Sequence, residues 1–301
     1  EFRRVLFRSM VSDIRTARNS DGSEKAMIFA FLGLSSTGKT ELGRALHQEL
    51  FKTNTEPFKI DFNKIKTVFD LKELLFGSKN LNSTNGEIYR SPFMNLYDKS
   101  NGKLVLILDE MTNASTEMLN VLYDFLDKSK AEGFSDDKLR PMGNVNVLIT
   151  GNLGEKWYNS IRGMDIPETE QYEASRKIYH SSIANENFKR ATLLEKFTEA
   201  FVNRVTLDRF YFFGPHEYKT IRELIQDKLL ATLKEISTPK EGVRTWDVRF
   251  SSIRDYEQTI FSIEKYGFRL WSQGRSVNAF INDQFKKEIQ DLLLKYLKVR
   301  L

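Results

Sequence analysis

The chain has 301 residues, 40% hydrophobic and 29% charged, which is enough for one large or two modest cored domains and excludes wholesale disorder. It has no cysteine, so a disulfide scaffold and a cysteine-ligated metal site are both excluded, and a reducing, cytoplasmic setting is expected. The net charge of +5 is modest, and no apolar run approaches the roughly 18 residues of a membrane span, so neither a nucleic-acid partner nor a membrane anchor is expected.

Residues 1–9 back-translate, codon by codon, as GAG TTC AGA CGT GTG CTC TTC CGA TCT, which reads as a short-read sequencing adapter in frame. They are set aside as adapter-derived, and Met10 is expected to be internal to a longer reading frame. Residues 26–34 form an apolar run that ends in a glycine-rich turn. Residues 41–51 then carry Leu42, Ala45, Leu46 and Leu50 on one helical face, so the unit is strand–loop–helix. Residues 58–62 are a second strand. Residues 104–108 are a third, continuously apolar as a buried parallel strand should be. Residues 115–127 are helical, with Met118, Leu119, Leu122, Phe125 and Leu126 clustered, and residues 145–150 are a fourth strand. Residues 188–201 are expected as one helix, followed by a short aromatic strand within 205–213. Strands alternating with helices predict an α/β fold with a parallel sheet.

Gly214-Pro215 punctuates the chain and is taken as a domain boundary. Beyond it, Ile221, Leu224, Ile225, Leu229 and Leu233 follow a helical stripe, and residues 276–297 are expected as a last long helix. The predicted organisation is an α/β domain over residues 10–214 and a small, mainly helical lid over 215–301. The stretch 77–90 is the most loop-like part of the chain.

Gly33-Leu-Ser35-Ser36-Thr37-Gly38-Lys39-Thr40 fits the phosphate-loop pattern G-x-x-x-x-G-K-[ST]. Its glycines let the backbone curl so that successive N–H groups face an anion, and the following helix adds its positive N-terminus. Lys39 is expected to reach the β and γ phosphates of ATP and Thr40 to ligate Mg²⁺. The apolar run 104–108 ends in Asp109-Glu110, two carboxylates at the carboxyl end of a strand, where ligands bind in such sheets. Asp109 is expected to hold Mg²⁺ through water, and Glu110 to orient or deprotonate the attacking water. A plainer reading of the pair, as an acidic cap on the next helix, leaves the five apolar residues before it unexplained.

These motifs resemble the Clp family of AAA+ proteins, in particular the second ATPase ring of its disaggregases and unfoldases. The likeness runs through Phe31-Leu-Gly-Leu-Ser-Ser-Thr-Gly-Lys-Thr-Glu-Leu42, Leu106-Ile-Leu-Asp-Glu-Met-Thr-Asn-Ala114 and Ile149-Thr-Gly-Asn-Leu-Gly154. It implies a P-loop AAA+ core with a helical lid, hydrolysis of ATP with Mg²⁺, and a homo-oligomeric ring, a hexamer, acting on a protein client. By the resemblance Asn152 is the sensor that hydrogen-bonds the γ-phosphate or the lytic water. Phe201-Val-Asn-Arg204-Val matches the segment carrying an arginine finger that acts on the neighbouring subunit, with Arg209 as second candidate. Gly274-Arg275-Ser276 matches the sensor that touches nucleotide from the lid, with serine where the family has proline. The family's pore aromatic falls by ungapped counting on Asn85, followed by Gly86. Tyr89 is the nearest substitute, and Phe93 is expected in the core. The family segment that packs on adenine would precede residues 11–18 and is absent from the sequence. Two other readings are a nucleotide-dependent switch or assembly scaffold that threads nothing, and a DNA-acting AAA+ loader or initiator.

Overall fold

The computed structural model describes residues 2–20, 26–53, 55–79, 88–133, 138–159, 164–165, 168–237, 250, 252–263, 279–287, 289 and 291. In chain order the elements are α1 (Phe2–Ser20), β1 (Met27–Gly33), α2 (Lys39–Phe51), β2 (Phe58–Asp61), α3 (Val68–Phe76), β3 (Ser78–Lys79), β4 (Ile88–Tyr89), α4 (Pro92–Ser100), β5 (Leu104–Asp109), α5 (Thr116–Asp127), β6 (Lys130–Glu132), β7 (Leu139–Pro141), β8 (Val145–Gly151), a single turn α6 (Glu155–Tyr158), α7 (Glu168–Ala184), α8 (Glu186–Leu194), α9 (Glu199–Val205), β9 (Phe210–Phe213), α10 (Tyr218–Ser237) and α11 (Ile253–Ser262). They divide into two compact units. The first holds residues 1–33, 38–156 and 181–213, and the second residues 34–37, 157–180 and 214–301.

The first unit is built on a five-stranded sheet in the order β2-β5-β8-β1-β9, with every neighbouring pair parallel. Strands β5 and β8 are buried at every residue, as uninterrupted apolar runs require when both faces of a parallel sheet are covered. One face packs on α1 and α2: Met10, Val11 and Ile14 meet Phe29, Phe31, Leu46, Val105, Ile107, Leu148 and Phe213 in one cluster. Helix α2 lies close because Gly43 has no side chain; a Cβ there would stand 2.4 Å from Leu148 Cδ2. A second aromatic layer links Phe58 to Phe93 (5.6 Å between ring centroids) and Phe93 to Phe125 (5.5 Å). Phe93 is therefore a core residue of α4, as its sequence position suggested.

Several stretches differ from the sequence-based expectation. The single helix expected over 188–201 is two helices, α8 and α9. Leu193, Phe197 and Phe201 repeat every four residues and imitate one continuous stripe. Thr198, however, has extended backbone and its hydroxyl accepts from Phe201 N, which starts a new helix. The loop-like stretch 77–90 begins and ends in a short antiparallel ladder, Ser78 opposite Tyr89 and Lys79 opposite Ile88. Residues 2–9, set aside on the sequence, lie in the first half of α1, where Phe7 continues the spacing of Met10, Val11 and Ile14 and packs on the same cluster.

The second unit packs α7, α10 and α11. Ile221, Ile225, Leu229 and Leu233 form the buried stripe of α10. Tyr172 and Tyr179 are buried on α7, and Tyr172 Oη donates to His216 O at 2.7 Å. Arg222 pairs with Glu257, tying α10 to α11. Of the long helix expected over 276–297, the described part contains one π-helical turn, Ile281–Phe285; Arg275 lies outside the described residues.

Candidate active site

The carboxyl ends of β1, β5 and β8 lie side by side, because the register sets Leu32 beside Gly151 and Leu108 beside Ile149. Four polar side chains from these ends and from the first turn of α2 converge. Lys39 is buried and its Nζ donates to Gly33 O at 3.0 Å and to Asn152 Oδ1 at 3.1 Å. Thr40 Oγ1 donates to Asp109 Oδ1 at 2.8 Å. The structure thus brings together Lys39, Thr40, Asp109 and Asn152, which lie up to 113 residues apart in the chain.

The backbone around them is bent in a specific way. Gly33 and Gly38 both have left-handed φ, 115° and 86°, a region that a side chain would disfavour. Gly38 precedes α2, which starts without a side-chain cap, whereas α3, α4 and α5 are capped by Thr67, Ser91 and Ser115. The start of α2 thus has no N-cap side chain competing for its first-turn N–H groups, the arrangement that suits an anion. The intervening residues 34–37 belong to the second unit. Ser36 is left-handed there, Ser35 Oγ lies 3.5 Å from Ser36 Oγ, and Thr37 Oγ1 donates to Leu34 O at 2.8 Å.

Asp109 has partners on both of its oxygens. Besides Thr40, Thr150 Oγ1 donates to its Oδ1 at 2.6 Å, and Lys59 Nζ stands 2.5 Å from its Oδ2. Burial pushes the Asp109 pKa up, but the Lys59, Thr150 and Thr40 hydrogen bonds and the Lys59 charge together outweigh it, so the carboxyl is held below its ordinary value. Glu110 follows in a left-handed conformation, φ 56°, which turns the chain sharply off β5. Its amide N donates to Thr150 Oγ1 at 3.0 Å, so one hydroxyl braces both acids.

Asn152 is held from the other side. Its N donates to Thr112 Oγ1, and Gly151 lies so close to Thr112 that a Cβ would stand 2.4 Å from Thr112 Cγ2. The sequence reading had no role for Lys59 or Thr150. The signal for Lys59 is the register: Asp61 sits beside Asp109, so Lys59, two residues earlier, projects on the same face. The signal for Thr150 is its place near the carboxyl end of β8, two residues before Asn152.

Arg204 is not part of this cluster. It lies in the last turn of α9, and its guanidinium donates to Leu126 O and pairs with Asp127 at the end of α5. Burial lowers its pKa and Asp127 opposes that shift; the group stays a cation. Arg209 stacks over the Phe29 ring, 5.7 Å from its centroid. Tyr89 is exposed, and Asn85 and Gly86 lie outside the described residues.

The family described as AAA domain (Cdc48 subfamily) matches residues 24–207. The chain belongs to that family. Among curated relatives of this AAA chain, Chaperone protein ClpB of Blochmanniella floridana is 26% identical over 250 residues, covering 79% of the chain and 26% of that protein. The AAA chain spans about a quarter of the length of the first relatives it matches. Hsp104 in its closed state with ATPγS and FITC-casein superimposes with a TM-score of 0.66 at 22% identity, over 98% of the AAA chain and 45% of that one. The extended Hsp104–casein complex of S. cerevisiae gives 0.65 at 20% identity, over 94% and 43%. The structural likeness shows a shared α/β P-loop fold, and the curated relative named above is a Clp-type chaperone.

Proposed function

We propose that this chain hydrolyses ATP to ADP and phosphate as a subunit of a homo-oligomeric ring, a hexamer, in the cytoplasm, and that the energy remodels a protein client. The observation that carries the proposal is the convergence of Lys39, Thr40, Asp109 and Asn152 beside the uncapped start of α2. The client follows from the relatives, which are named chaperones, and from the casein complexes among the matched structures.

The donor set fits Mg²⁺. Thr40 and Asp109 offer a hydroxyl and a carboxylate 2.8 Å apart, and no group of three or more His, Asp or Glu competes as a metal cage among the described residues. Mg²⁺ favours one or two protein oxygens, water and substrate phosphates over a dedicated cage. Thr40 and Asp109 would hold the ion, which would supply charge neutralisation for phosphoryl transfer when bound with ATP. Lys39 is near its acceptors now and exchanges them for β and γ phosphate oxygens. The loop residues Ser35, Ser36 and Thr37 are assigned to phosphate by the motif. Glu110 orients or deprotonates the attacking water, and Asn152 hydrogen-bonds that water or the γ-phosphate. Arg204 acts on the nucleotide of a neighbouring subunit, and Arg275 on the chain's own nucleotide from a lid formed by residues 215–301. Phosphoryl transfer asks for little covalent help, so positioning and charge stabilisation supply most of the rate.

Glu110→Gln tests the assignment. ATP affinity, read with a fluorescent ATP analogue, should stay within about three-fold, while steady-state turnover falls at least about 100-fold. Unchanged turnover would overturn the catalytic assignment.

A further inference from the structure

Both oxygens of the Asp109 carboxylate are engaged. Thr40 and Thr150 donate to Oδ1 at 2.8 and 2.6 Å, and the Lys59 ammonium holds Oδ2 at 2.5 Å. The three partners differ in how firmly they are fixed. Thr150 is fully buried on the central strand β8, and Thr40 is anchored by the first turn of α2. Lys59 lies on the edge strand β2, with 34% of its side chain exposed against 12% for Asp109. Its four-carbon stem can swing into water without moving backbone. The cross-strand register delivers it: Asp61 pairs with Asp109, and Lys59 is the diagonal neighbour on the same face. The ammonium therefore holds Oδ2, opposite the oxygen that Thr40 and Thr150 hold, on the carboxylate assigned to Mg²⁺.

We propose that Lys59 is the resident counter-cation of Asp109, holding its carboxylate in position before nucleotide arrives and yielding to Mg²⁺, so that it sets the magnesium concentration at which ATP binds. This deepens the ATP reading above and rests on it. A metal entering the site must displace the ammonium or sit beside a like charge, and either raises the magnesium requirement. Deleting the charge removes that competition, while the Thr40 and Thr150 hydrogen bonds keep the carboxylate aimed.

The test is equilibrium binding of a fluorescent ATP analogue to the full chain, with free Mg²⁺ titrated up from excess EDTA. Lys59→Met keeps the stem and removes the charge. Its magnesium midpoint should fall about ten-fold, and its affinity for metal-free nucleotide should change less than about three-fold. Lys59→Arg should stay close to wild type. If Lys59→Met fails to fold by circular dichroism, Lys59→Gln is expected to show the same shift. Equal midpoints in wild type and the neutral variant, or a higher one in the variant, overturn the role of Lys59 alone. No binding by wild type at any magnesium concentration overturns the ATP reading and this proposal with it.

Discussion

Replacing Thr150 by valine removes one oxygen with little change of shape, so it isolates what that hydroxyl does. In the structure it donates to Asp109 Oδ1 at 2.6 Å and accepts from Glu110 N at 3.0 Å. A hydrogen bond to a charged group contributes about 1.5–3 kcal/mol, and a buried N–H left without its acceptor costs about 1–3 kcal/mol. The two losses share one neighbourhood and do not add fully, so a destabilisation of about 2–4 kcal/mol is expected near neutral pH. Urea unfolding followed by circular dichroism measures the total, and hydrogen exchange at the Glu110 amide localises it to the first unit. A second arm follows from charge. The Asp109 pKa is depressed in the fold, so its contribution exists above the unfolded carboxylate value and disappears as pH falls through the folded value. Part of that depression comes from Thr150, so the gap between wild type and variant should narrow below about pH 4. Thr150→Ser should recover most of the loss. A neutral-pH difference below about 0.5 kcal/mol, or a gap that stays constant into acid, would refute the claim that this hydroxyl braces the two acids.

Gly151→Ala should cost about 1–3 kcal/mol and displace Asn152, since the new methyl would meet Thr112 at 2.4 Å; adding Thr112→Ala should restore stability, and failure to do so would point to strain elsewhere. The Asp98–Arg140 pair is asymmetric: the arginine is buried, with 2% of its side chain exposed, and the aspartate is at 38%. Asp98→Ala should therefore cost about 3 kcal/mol by stranding a buried cation, and more than Arg140→Leu, with urea midpoints deciding the order. Arg204→Ala should keep nucleotide affinity but lose turnover by about 10³-fold. Mixing it with Glu110→Gln subunits should restore part of the turnover if the guanidinium acts across subunits, and no recovery would sink that role.

How much of this was legible in the sequence depends on whether a signal is local. The runs 26–34, 104–108 and 145–150 announce themselves because parallel strands buried on both faces must be apolar throughout, and β1, β5 and β8 follow them within a residue at each end. Lys39, Thr40 and Asp109 were legible because a spaced motif stands next to a strand. Lys59 and Thr150 were not, since each acts through its neighbour across the sheet and strand order is not written in any one segment. The break between α8 and α9 escaped for the opposite reason. A repeat of four apolar residues continues through a capped restart, and only the backbone at Thr198 reveals it. Helix α7 carries charged residues around much of its surface, with burial concentrated at Tyr172, Ser175 and Tyr179, so its periodicity was weak.

Helix α5 is fastened at both ends and in the middle to the same stretch of chain. Lys196 Nζ donates to Ala114 O just before it begins, Tyr123 stacks on Phe201 at 4.5 Å, and Arg204 holds Leu126 O and the Asp127 carboxylate in its last turn. An α-helix resists compression along its axis, and a close-packed interior passes displacement on instead of absorbing it. The left-handed turn at Glu110 leads through one 3-10 turn, Met111–Asn113, into this rod, and Arg204 lies at its far tip. A displacement at the start of α5 would therefore be felt at Arg204, because the helix between them is clamped to one neighbouring segment along its whole length.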